Sequence, residues 1–297
     1  MKKRDLFLLI LSLTLLVFGA VQLSLHFANR QAGLEKEDEL RRIWRAEDAT
    51  EIPTFAPVTP TPVPVLAEAT EEPAVPESEA ATAAPARPQA GRLRRTFYPD
   101  NPGLTVSSRF RDLRKENKDI IGWLTVGKMI DEAVVQRDNE YYMDHDVSGR
   151  KNAAGAVFLD QLISLRTRPN TLVLYGHNMR DQSRFGWLRK YEDEAFYREN
   201  RIISFNTIYE EGDYVVFSEG TVSTEAGDAH YLDFLGLDSL RLEERQRALS
   251  VLREVNVLKD TPDVRADDQL LVFVTCVEKD TERRVVAARR LREDEEV

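Results

Sequence analysis

LLVFVTCVEKDTERRVVAARRL, residues 270–291, sets the reading of the fold. Two runs of branched and aromatic residues, 270–276 and 284–291, flank a polar loop, the pattern of two strands joined at a sheet end. Working outward, IIGWLTV (120–126) and MIDEAVVQ (129–136) are strand-like and joined through Gly127-Lys128, a hairpin signal. AGAVFLD (154–160), TLVLYGH (171–177), RIISFNTIY (201–209) and DYVVFSEGTV (213–222) add four more strand candidates. Phe110 and Leu113 mark a short opening helix. Longer helical patterns are confined to 185–200 and 238–258. About eight strands with few helices predict a mainly β domain, a closed or nearly closed, antiparallel-rich barrel with helices at its edges.

The remaining chain is of different character. The 297 residues carry 41 Lys plus Arg against 51 Asp plus Glu, a net charge of −10 that gives no general attraction to nucleic acid. After the basic head of residues 1–5, residues 6–25 contain no charge, and about 20 helical residues span the ~30 Å of a bilayer core. The run is longer than the apolar part of a cleaved leader and lacks a good cleavage site, so residues 6–27 are expected to be an uncleaved anchor. The basic head places the N-terminus in the cytoplasm and the rest outside the membrane. Leu40, Ile43 and Trp44 share one stripe of a short stalk helix within 31–50. Nine of the 13 prolines fall between Pro53 and Pro88, the composition of a semi-rigid spacer. Residues 28–103 are therefore expected to be stalk and linker that hold a domain at 104–297 away from the bilayer, and 293–297 a solvated tail.

Cys276 is the only cysteine, which excludes an internal disulfide and a multi-thiolate metal site. A lone buried cysteine is ordinarily a small hydrophobe. This one closes an apolar strand at the start of a polar loop, where reagents reach a barrel rim. A nucleophilic thiol needs a proton-handling partner and a donor for the oxyanion. His177 ends the run TLVLY within the turn Gly176-His177-Asn178, and Arg283 opens the strand after the Cys276 loop. His145 and His230, with Asp144, Asp146 and Asp228 nearby, read as solvated turns in preference to a metal site.

TLVLYGHNMRDQSRFGWLRKY (171–191), VFVTC ending at Cys276, the run Arg283-Arg284-Val285-Val286-Ala287, and the stretch DIIGWLTV through AVFLD at 119–160 together resemble the sortases, class B. These are membrane-anchored cysteine transpeptidases of Gram-positive bacteria. The resemblance implies an eight-stranded sortase barrel with an N-terminal helix and an extra helix before the Cys276 strand, which 238–258 fits. It implies that Cys276 is the nucleophile and His177 the acid that protonates the departing amine. It also implies that Arg283, by the family's spacing of arginine from the β-branched run, holds the oxyanion while Arg284 points the other way. Asn139, Met143, Tyr175 and Thr275 are similar to positions of the substrate groove. Val274 stands where the class commonly has Ser, and Ala133 where it often has Pro.

The implied activity cleaves a Thr–Gly or Thr–Asn bond in a C-terminal sorting signal of an exported protein. The thioacyl enzyme then passes to an amine of a cell-wall peptidoglycan precursor, with no metal or organic cofactor. A pilin polymerase that uses a lysine acceptor, a non-catalytic barrel that binds a surface peptide, and a hydrolytic Cys-His peptidase are the rival readings. The last commonly places its cysteine at a helix N-terminus, whereas LLVFVTC reads as strand.

Overall fold

The computed structural model describes residues 3–48, 101, 103–234, 236–276, 281–292 and 295. The proline-rich stretch and the side chain of Cys276 lie outside the described residues. The chain opens with α1 (Lys3–Asp48), and α2 (Arg109–Glu116) precedes the sheet. Eight strands follow: β1 (Ile120–Val126), β2 (Ile130–Val135), β3 (Phe158–Leu159), β4 (Thr171–Tyr175), β5 (Ile202–Thr207), β6 (Asp213–Ser223), β7 (Leu270–Cys276) and β8 (Glu282–Arg290). Two helices interrupt them, α3 (Glu194–Glu199) before β5 and α4 (Leu242–Glu254) before β7. The strands close into a barrel in the order β1-β2-β3-β4-β7-β8-β6-β5.

Two core clusters explain why these strands lack clean alternation. The larger cluster takes both faces of the central strands, so that neighbours on opposite sides of the sheet, such as Val173 and Leu172 or Leu271 and Val272, are all buried. The outer face of β1 and β2 lies under α1 and α2, which bury Leu40, Trp44, Phe110 and Leu113 against Trp123 and Val135. A strand covered on both sides reads as a continuous apolar run. Trp44 stacks on Trp123 with ring centroids 5.0 Å apart, and the Arg109 guanidinium lies 4.0 Å above its other face.

Three elements depart from the sequence expectation. The run at 154–160 yields only the two-residue β3. Gly155 there adopts φ +58 and passes so close to the Tyr142 carbonyl that a Cβ would sit 2.4 Å from it, so that backbone serves a loop contact instead of a ladder. The helical pattern at 185–200 breaks in two, a 3-10 turn over Leu188–Glu192 and then α3. Asp193 causes the break, since its carboxylate accepts the Ala195 and Phe196 N–H groups and caps a new helix. The tail is not wholly solvated: Glu295 takes both Nη atoms of the fully buried Arg289, at 2.6 and 2.5 Å.

α1 is long and apolar enough to cross a membrane, with an unburied 18-residue window of mean hydropathy 1.7 in its Leu11–Ala46 stretch.

Candidate active site

β4 and β7 are parallel neighbours in the register Tyr175↔Val274, so the two chains leave the barrel on the same rim. The register is extended by Gly176, whose N–H donates to the Val274 carbonyl at 3.3 Å, and His177 comes next. On the other side of β7, Cys276 pairs with Arg283 of β8. Backbone pairing alone thus brings the end of β4, with His177 just beyond it, beside the distant ends of β7 and β8 that carry Cys276 and Arg283.

At that end lies a cavity of about 240 Å³. Six of the seven residues singled out from sequence line it: His177, Arg283, Asn139, Met143, Tyr175 and Thr275. Cys276, the seventh, is placed by its backbone at the end of β7. Phe158, Gly176 and Val274 complete the wall. Phe158 carries no signal of this role in the sequence, because nothing in the apolar run 154–160 shows that it reaches the rim. Its ring lies 5.5 Å from that of Tyr175.

The two adjacent arginines part as neighbours on a strand must. Arg283 lines the cavity and donates to the Glu282 carbonyl at 2.7 Å. Arg284 turns to the opposite side and pairs with Glu192 at 2.6 Å and Glu219 at 2.7 Å.

His177 is half-buried, and its Nε2 lies 2.6 Å from the Met143 carbonyl oxygen. A carbonyl only accepts, so Nε2 carries the proton and Nδ1 is left for exchange. Its own carbonyl accepts the Met179 and Phe185 N–H groups, each at 3.0 Å, closing the loop that follows. Gly176 is required here because a Cβ would press to 2.9 Å from the Phe185 ring.

Burial pushes the Tyr175 hydroxyl well above its ordinary pKa, and the nearby Asp160 carboxylate adds to the shift. The phenol therefore stays protonated and donates to the Asp160 carboxylate. Asp160 is itself buried and accepts from Asn139 Nδ2 at 3.1 Å, so one carboxylate links two groove residues. Nothing in the linear pattern singled it out. The Thr275 hydroxyl is buried with no hydrogen-bond partner among the described residues. His145 stacks on Tyr141 at 4.1 Å, with Nδ1 2.9 Å from the Tyr141 carbonyl oxygen, so it is part of a loop and lies outside the cavity.

Sortase B of Listeria monocytogenes is 32% identical over 184 residues, which cover 60% of this chain and 71% of that one. The chain belongs to the sortase B family. Sortase B of Staphylococcus aureus is 26% identical over 190 residues, 63% of this sortase and 75% of that one. Sortase B from Bacillus anthracis in complex with AAEK2 superposes with a TM-score of 0.57 at 30% identity, covering 65% of this chain and 86% of that one. A Staphylococcus aureus sortase B–substrate complex gives 0.57 at 26% identity, covering 64% and 88%. No family model matches the chain. The sortase is thus a cysteine transpeptidase of class B, on the closed eight-stranded barrel that its sequence implied.

Proposed function

We propose that this sortase is anchored by residues 6–27 with its N-terminus in the cytoplasm, and that it cleaves a C-terminal sorting signal of exported proteins outside the membrane. In this reading Cys276 Sγ attacks the signal's threonine carbonyl. The C–N bond breaks, His177 gives a proton to the departing amine, and a thioacyl enzyme remains. An amine of a cell-wall precursor then attacks the thioester, surrenders its proton to His177 and releases the thiolate. Arg283 donates to the oxyanion at both tetrahedral stages. A thiolate nucleophile is a minority species at a pKa near 8.5, so a neighbouring imidazolium favours it.

The observation that carries the reading is a cavity lined by both His177 and Arg283 at the end of the strand that terminates in Cys276. The likeness to a Staphylococcus aureus sortase B–substrate complex supports a sorting-signal type of substrate for this chain. Tyr175, Asn139, Met143 and Thr275 shape the walls that hold the bound signal. Cys276→Ala is expected to abolish cleavage of a fluorogenic sorting-signal peptide library with an unchanged melting temperature. Retained turnover in that variant would remove the sulfur from the mechanism.

A further inference from the structure

The loop after His177 is held by a cluster that the reaction does not use. Its member Arg184 adopts φ +52 and forms an isolated backbone bridge with Asn178, next to His177. The Arg184 side chain is only 6% exposed, and its guanidinium reaches three separate parts of the chain. Nε donates to the Gly155 carbonyl at 2.9 Å, Nη1 to Glu132 of β2 at 2.5 Å, and Nη2 to Glu37 of α1 at 2.5 Å. Gly155 in turn lies against the backbone of Met143, whose carbonyl holds the imidazole: a Cβ there would sit 2.8 Å from that oxygen. Both the loop that carries His177 and the carbonyl that fixes its ring therefore converge on Arg184.

α1 grips the same region at two further points. Arg30 pairs with Asp181 inside the His177 loop. Gly33 lets the helix approach so closely that a Cβ would stand 2.8 Å from Asn152 Nδ2 and 3.1 Å from Asp146 Oδ2. Arg30, Gly33 and Glu37 are three and four residues apart, one face of a helix.

We propose that Arg184 is a positioning residue for His177 and that Glu37 of the anchor helix completes its seat, so that the helix behind the apolar segment forms a wall of the catalytic apparatus. A buried charge cluster of this kind adds little net stability over an apolar one, but it fixes geometry. The fixed quantity here is the imidazole's orientation, and the inference rests on His177 serving as the proton donor.

The test uses the full-length chain in detergent micelles, with each variant assayed well below its own melting temperature. Glu37→Ala frees one arm of Arg184. Peptide-cleavage kcat is expected to fall about tenfold with KM changed less than about twofold, in line with a misplaced catalytic group. Glu37→Gln keeps a carbonyl acceptor for Nη2 and is expected to recover most of the loss. Glu37→Asp keeps the charge but shortens the tether by one methylene, and gives an intermediate loss. The ¹⁵N resonances of His177 show the Nε2–H tautomer in the wild type and Glu37→Gln, and a tautomer mixture in Glu37→Ala. Wild-type kcat in folded Glu37→Ala and Glu37→Asp, or an unchanged His177 signal in Glu37→Ala, overturns the proposal. The resonance measurement needs no turnover. An inactive wild type would sink the functional reading, while the positioning role would still stand or fall on the His177 signal.

Discussion

At the scale of single residues, the adjacent pair Arg283 and Arg284 separates catalysis from stability. Arg283 lines the cavity, so Arg283→Ala is expected to lower kcat/KM by about 100-fold or more, the usual cost of one oxyanion donor. Arg284→Ala touches nothing in the groove and leaves the Glu219 carboxylate buried without its partner. It is expected to lower the melting temperature and leave peptide cleavage close to wild type; the reverse outcome would exchange the two roles. Glu219 also gives the fold a pH dependence. Burial, reinforced by Glu192 and opposed by Arg284, pushes its carboxyl up from 4.5 to about 7. Between those values the folded chain holds a proton that the unfolded chain has released. Its contribution therefore weakens as pH rises through that window and is constant above it. Glu219→Gln, neutral throughout, is expected to gain about 2 kcal/mol on the wild type between pH 5 and pH 8. Denaturant melts at the two pH values measure the difference, and equal slopes with pH would contradict it.

Among the elements, legibility followed how each strand or helix is covered. β1 and β7 match their sequence runs end to end, because strands buried on both faces are apolar throughout. β3 is shorter than its apolar run because Gly155 turns its backbone toward Tyr142, which an apolar run does not reveal. The candidate site was legible as far as its residues are locally patterned: His177 and Cys276 stand at the ends of readable strands. The Arg184–Glu37 pair was not, since its partners are 147 residues apart in the chain. The stripe of Leu40 and Trp44 was visible on α1, yet only the fold shows that it seats on Trp123 and Phe110. Trp44→Ala is expected to cost about 3–5 kcal/mol, the range for emptying a large aromatic site. A chain that starts at residue 91 loses the same contacts. Chemical denaturation of the variant measures the cost, and a loss under about 1 kcal/mol would show the helix to be dispensable for the barrel.

For the whole molecule, the first part of the segment 28–103 packs on the barrel, while the proline-rich stretch expected as a spacer lies outside the described residues. The residues that contact the barrel from α1, Arg30 through Arg45, precede the proline-rich stretch. Trp44 on one side of that stretch and Phe110 on the other have ring centroids 5.3 Å apart. The chain on both sides of it is thus packed at the same place, and the apolar run joins the barrel through continuous helix. Arg30 stands five residues beyond residue 25, a rise of about 7.5 Å along the helix, and it already touches the His177 loop. With residues 6–27 in a membrane, as proposed, this helix would hold the catalytic face close to the bilayer surface.

The central claim is that sulfur, imidazole and guanidinium act together in one groove, and the thioacyl enzyme is its most direct witness. The full-length sortase is incubated with a sorting-signal peptide library without acceptor amine, quenched in acid and mapped by mass spectrometry. The account predicts an acyl group ending in threonine on Cys276, released by hydroxylamine, in far higher yield in the wild type than in Arg283→Ala. Peptide cleavage with no adduct on Cys276, or equal yield in the two proteins, would contradict it.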